Sequence, residues 1–138
     1  MKKLRIGLAL FVVAFLLNCT TIVEGNSDAH PNFKIGKKGF ENSLKKKFDF
    51  DKLSIGTYFT KKDGISKEKG LNLMFLKNDL TAISDSLLYS YSEEIKNQTI
   101  QYVLNLDTYD YINITFKSEE VKEILTKSSS VKIKKALK

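Results

Sequence analysis

One cysteine, one histidine and one proline serve a chain of 138 residues, and each scarcity removes a class of protein from consideration. Cys19 has no second thiol to pair with, so no intramolecular disulfide holds the fold, and stability must come from buried apolar area. His30 lies just beyond Cys19, in a polar stretch, which leaves the periodic part of the chain without either residue. Zinc sites and Cys–His or Ser–His nucleophile systems are excluded there. Glycine and proline stop at Gly70, so everything after it must turn on Asn, Asp and Ser. No P-loop or dinucleotide fingerprint occurs, no repeat period or low-complexity tract is present, and no cofactor is implied.

What is there begins with an address. Met1-Lys2-Lys3-Leu4-Arg5 is followed by Leu8 to Leu17 without a polar side chain. A cationic start and 7 to 15 apolar residues make the layout of a secretory signal peptide. The run is short of the roughly 20 residues that span a bilayer as a helix. Leu16-Leu17-Asn18-Cys19 resembles the lipobox of bacterial lipoproteins, with Leu16 at the usual aliphatic position and Asn18 where Gly, Ala or Ser is commoner. The resemblance covers residues 1–19. It implies cleavage before Cys19, a diacylglycerol on its thiol and acylation, such as palmitate, of the new amino group. Two or three chains anchor stably where one binds reversibly. A signal cut elsewhere and an uncut signal anchor are the competing readings, although no A-x-A-like site follows the run. With Lys2, Lys3 and Arg5 removed, the net charge of +7 falls to +4.

Four regions are expected: a signal over 1–18, a lipidated Cys and tether over 19–33, one domain over 34–128, and a basic tail over 129–138. The polar composition from Thr20 to Asn32 predicts a flexible linker with a reach of roughly 20 Å. Phe40, Leu44 and Phe48 predict a short helix over Lys38 to Phe48. Leu53 to Thr60 and Leu71 to Lys77 alternate as strands around a charged loop holding Asp63-Gly64. Leu80, Ile83, Leu87, Tyr91 and Ile95 predict a long amphipathic helix capped at Asn78 or Asp79, with Leu87 at the centre of its buried face. Residues 99–106 either continue that helix, bent near Asn97, or alternate as a strand; the lack of a hairpin Gly favours the helix. Tyr111 to Phe116 alternates again. Ser118, Glu119 and Glu120 predict a last helix with Val121, Ile124 and Leu125 as its stripe. The class is α+β: a small antiparallel or mixed sheet of three to four strands against a long amphipathic helix, with short flanking helices.

Chemistry is sparser. Asp49-Phe50-Asp51 alternates as calcium ligands do but lacks the rest of a calcium loop, so no metal site is expected. Gly36 to Gly39 with Lys37 and Lys38 is too small a signal for an anion loop. Glu93 and Glu94 point about 100° apart on a helix and form no acid–base dyad, and Asp107 and Asp110 suit turn amides. Charge is uneven: Lys34 to Lys52 holds seven Lys against three acids, Lys117 to Lys138 the same, and Asn78 to Tyr111 one Lys against six. A solvated surface accounts for this; attraction to an anionic envelope surface through Lys45, Lys46 and Lys47 is the sharper reading. Tyr89, Tyr91, Tyr102, Tyr109 and Tyr111 crowd into 23 residues. Tyr clusters line interfaces and core rims alike, and Tyr89, Tyr91, Tyr109 and Tyr111 are the aromatic candidates. The expectation is a non-enzymatic envelope lipoprotein, anchored in the cell membrane or outer membrane through Cys19 and facing the periplasm or exterior. It would bind an envelope protein or an anionic surface, and not nucleic acid. A small carboxylate-dependent hydrolase, or a hydrolase inhibitor, is the alternative.

Overall fold

The structure, a computed structural model, describes residues 22–26, 30–77, 83–122 and 125–137. Its elements are β1 (Ile22–Asn26), α1 (Gly36–Lys45), β2 (Lys52–Lys62), β3 (Ile65–Leu76), α2 (Asp85–Tyr102), a 3₁₀ turn (Leu106–Thr108), β4 (Tyr111–Lys122) and β5 (Leu125–Ala136). The strands form one mixed sheet in the order β1-β2-β3-β4-β5. Every pair is antiparallel except β3 and β4, which run parallel. A parallel pair needs a long crossover, and α2 supplies it. The fold is α+β with a five-stranded sheet and two helices, one strand more than the widest sheet expected.

Asp63-Gly64 turns β2 into β3 with both residues at positive φ (53° and 77°). That is the geometry a two-residue hairpin demands and a reason for Gly at its second position. The turn is therefore tighter than the charged loop expected between Lys61 and Gly70. Inward alternation builds the core: Leu53 from β2, Leu71, Leu73 and Phe75 from β3, Ile112, Ile114 and Phe116 from β4. Phe40 and Leu44 of α1, and Leu88 and Ile95 of α2, pack onto that same face. At one end Phe75 meets Phe48, Phe50 and Phe116 with ring centroids 5.1, 5.1 and 5.7 Å away, and Tyr91 stacks on Phe48 at 5.0 Å.

Several expectations are corrected. The last helix does not form: Ser118 to Lys122 continues β4, and pairing with β5 over Ser118↔Ser129 to Lys122↔Leu125 overrides the local capping signal. The basic tail is β5, whose Val131, Ile133 and Lys135 alternate against Lys132 and Lys134. Part of the linker is β1, with Val23 opposite Lys61 and Gly25 opposite Phe59. More of it is pinned by Asn105, whose Oδ1 accepts from the Asn32 amide at 2.8 Å and whose Nδ2 donates to the His30 carbonyl at 3.0 Å. The long helix starts at Asp85, where the Ser84 Oγ accepts from the Leu87 amide; Asn78, Asp79 and Leu80 lie outside the described residues. Its inward residues are Leu88, Ser92, Ile95 and Thr99, while Leu87 is 42% exposed. Helix geometry persists to Tyr102, so most of 99–106 is not strand; Val103 forms an isolated bridge to Phe33.

Candidate functional site

Both helices cover one face of the sheet, and among the described residues no element covers the other face. Strand register arranges its side chains in rows across β2, β3, β4 and β5: Lys52–Leu76–Lys117–Ser130, Ser54–Met74–Thr115–Lys132, Gly56–Asn72–Asn113–Lys134 and Tyr58–Gly70–Tyr111–Ala136. Beyond the last row, Glu24 of β1 faces Thr60, which faces Glu68. The lower rows enclose an open trough of about 560 Å³ lined by Glu24, Tyr58, Thr60, Glu68, Asn72, Tyr111, Asn113, Lys132 and Lys134. A smaller depression over Lys52, Ser54, Met74, Leu76, Lys117 and Glu119 extends it along the strands.

Its polar groups are ordered by one another. Asn113 Nδ2 donates to Asn72 Oδ1 at 2.9 Å, tying β4 to β3 through side chains as well as backbone. The Tyr111 ring lies across Gly70, where a Cβ would come within 2.3 Å of Cε2, so only glycine lets that ring rest on the sheet. Lys134 covers the ring from above, with Nζ 3.8 Å from the centroid and 3.0 Å from Glu68 Oε2. Burial pushes the Tyr111 hydroxyl above its ordinary pKa. A hydrogen bond to the Glu24 carboxylate, reinforced by burial, pushes the Tyr58 hydroxyl up to about 12. Thr60 lies beside both tyrosines, and its hydroxyl opposes the rise at each.

The residues singled out from the sequence do not converge. Lys45 pairs with Glu41 at 3.5 Å and reaches over the Phe50 ring; Lys47 pairs with Glu94 at 3.4 Å; Lys46 is exposed. All three sit at the end of α1, on the helix side of the sheet. Tyr89 is exposed beneath the Lys135 Nζ at 3.7 Å, Tyr91 rims the core, and Tyr109 is buried, which raises its pKa. Only Tyr111 reaches the trough. Cys19 lies outside the described residues. Tyr58, Asn72, Asn113, Lys132 and Lys134 escaped notice because their meeting depends on strand pairing between distant parts of the chain, as between Asn72 and Asn113, 41 positions apart. The available signal was the polar half of each alternating strand.

The carboxylates behave as structural groups. Asp110 Oδ2 accepts from the Lys69 amide at 2.8 Å, a backbone amide as expected, but one 41 positions away on β3 and not in its own turn. Glu93 accepts from Lys135 at 2.6 Å, and this bond lowers its pKa. Asp49 is likewise lowered by its bond from Lys77 at 2.6 Å. Burial works against the Lys135 ammonium, yet Glu93 and Tyr89 outweigh it and hold its pKa high. Among the described residues no three His, Cys, Asp or Glu come together as metal ligands, and no helix is long and apolar enough to cross a membrane. Comparison with protein-family models, curated proteins and solved structures gives no match.

Proposed function

We propose that this chain is a lipid-anchored envelope protein that works by binding, with the helix-free face of its sheet as the binding surface. The anchor rests on the residues before Ile22: a cationic start, an apolar run and a lipobox-like Leu16 to Cys19. The observation that carries the binding role is the trough itself, a concave surface of ordered polar side chains on a rigid sheet. Ligand sites favour a preformed concavity with a few convergent polar groups. Binding suits this trough better than hydrolysis does. Acid–base cleavage needs one carboxyl held ready to donate and another to accept, whereas Glu68 is paired with Lys134 and the Glu24 carboxylate is occupied as acceptor of a hydrogen bond from the Tyr58 hydroxyl.

Two measurements test the reading. Mass spectrometry of the mature protein should find a diacylglyceryl-modified Cys19 at the N-terminus, and Cys19→Ala should leave an uncut precursor; a bare thiol at Cys19 would overturn the anchor. NMR of the full chain in micelles, titrated with solubilised envelope extract, should shift the side-chain amides of Asn72 and Asn113. Shifts confined to Lys45, Lys46 and Lys47 would move the binding surface to the end of α1.

A further inference from the structure

The trough's chemistry narrows what it holds. This step rests on the binding role just proposed and concerns the ligand alone. The row Gly56–Asn72–Asn113–Lys134 forms the floor. Among the described residues its Gly56 end is open twice over: Gly56 has no side chain and nothing within 4 Å of where a Cβ would stand, and β1 ends opposite Tyr58. At about 4.8 Å per strand, three strand spacings give a floor about 14 Å long, room for a stretch of polymer.

The floor presents both halves of a hydrogen-bonding pair. The bond from Asn113 Nδ2 to Asn72 Oδ1 leaves the Asn72 amide hydrogens as donors and the Asn113 carbonyl oxygen as an acceptor. A hydroxyl, which donates and accepts at once, matches such a pair. Ser54, Thr60 and Thr115 add hydroxyls of their own along the same face. Apolar anchors are scarce: in the four rows Met74 is the one exposed large apolar side chain. A protein partner would need buried aromatic or aliphatic hot spots, and a lipid tail would need more apolar wall.

Charge supplies the last constraint. Lys134 is engaged by Glu68, and Lys117 by Glu119. Lys132 and Lys52, beside the floor, take part in no ion pair among the described residues. Glu24, at the far end, accepts from Tyr58 but meets no cation among the described residues, so the uncommitted charge of the face is two cations against one anion, a cationic balance next to an array suited to hydroxyls. We infer that the trough binds an acidic polysaccharide, its sugar hydroxyls on Asn72 and Asn113 and a ring carboxylate on Lys132.

The probe is an oligogalacturonate, with a dextran oligomer of equal length as the neutral control, titrated into the full chain in micelles by calorimetry and NMR. The acidic oligomer should bind, shift the Asn72 and Asn113 side-chain amides, and weaken as salt rises. Lys132→Gln should reduce affinity about tenfold, within the range for a charge-assisted hydrogen bond. Gly56→Val, which fills the open end with a good strand former, should abolish binding while the thermal midpoint stays at or above that of the parent. Equal affinity for dextran, or no effect of Lys132→Gln, would overturn the acidic-glycan assignment. Failure of oligogalacturonate alongside envelope-extract shifts at Asn72 and Asn113 removes the ligand class and keeps the binding face; silence in both experiments removes both.

Discussion

The two faces of this sheet are built from the same strands in the same register, yet they follow different rules. On the helix side β3 shows Leu71, Leu73 and Phe75, all buried; one residue out of phase it shows Gly70, Asn72 and Met74 to the trough. The first set is chosen by volume, because close-packed interiors resist any change of size. The second is chosen by hydrogen bonds and by space left empty, as Gly56 and Gly70 show in opposite ways. Stability and the proposed binding role thus fall on alternate positions of one strand, and neighbouring substitutions can separate them.

The largest contrast lies between Phe75 and Met74. Phe75→Ala should cost about 3–5 kcal/mol, since it empties the centre of the aromatic cluster. Met74→Ala, at a residue already 39% exposed, should cost less than about 1 kcal/mol. Urea unfolding measures both, and comparable losses would mean that the trough face is also packed. The helix offers the same comparison: Leu88→Ala should cost about 2–5 kcal/mol and Leu87→Ala a fraction of that, because the former is 3% exposed and the latter 42%.

Gly70 is the exception that sharpens the comparison, a tightly packed point on the open face. Gly70→Ala should cost about 1–3 kcal/mol by forcing the Tyr111 ring off the sheet. If the ring can move aside freely, the loss will vanish and the trough floor will have more room than its geometry shows. The smallest effect is titrimetric. Tyr58 in the folded chain titrates at about 12, above its ordinary 10.0. A raised pKa stabilises the protonated form, so its contribution is complete below pH 10 and is lost as pH rises through 12. Ultraviolet titration should show a phenolate step near 12 that Tyr58→Phe removes; persistence of the step would assign it to another tyrosine.

Some of this was legible in the chain. Period-two alternation in Leu53–Phe59, Leu71–Phe75 and Ile112–Phe116 located three strands, and Asp63-Gly64 marked the hairpin. The phase of α2 was not legible, for a physical reason. Its inward face includes Ser92 and Thr99, whose hydroxyls donate back to the Tyr89 and Ile95 carbonyls at 2.6 and 2.7 Å. Self-satisfied hydroxyls sit in a core as small apolar groups do, so a stripe drawn through Leu87 missed them. β5 was hidden differently: lysines on an edge strand guard it against stray pairing, and Lys127, Lys132 and Lys134 gave it the composition of a tail. The trough was beyond reach, because Asn72 and Asn113 become neighbours only through the crossover that α2 completes.

Under the proposed anchoring, β1 would set the height of the domain above the membrane. Drawn as a coil, the stretch after Cys19 would lift the domain clear of a bilayer; as a strand from Ile22, it leaves Thr20 and Thr21 alone between the proposed lipidation site and the sheet. Three backbone steps reach about 10 Å at full extension, and the five to Glu24 about 17 Å. Under the anchor proposed at Cys19, the protein would ride low, with the Glu24 end of its trough within that reach of the headgroups. Lengthening the chain between Cys19 and Ile22 would then change which stratum of the envelope the trough can touch, with no alteration to the trough itself.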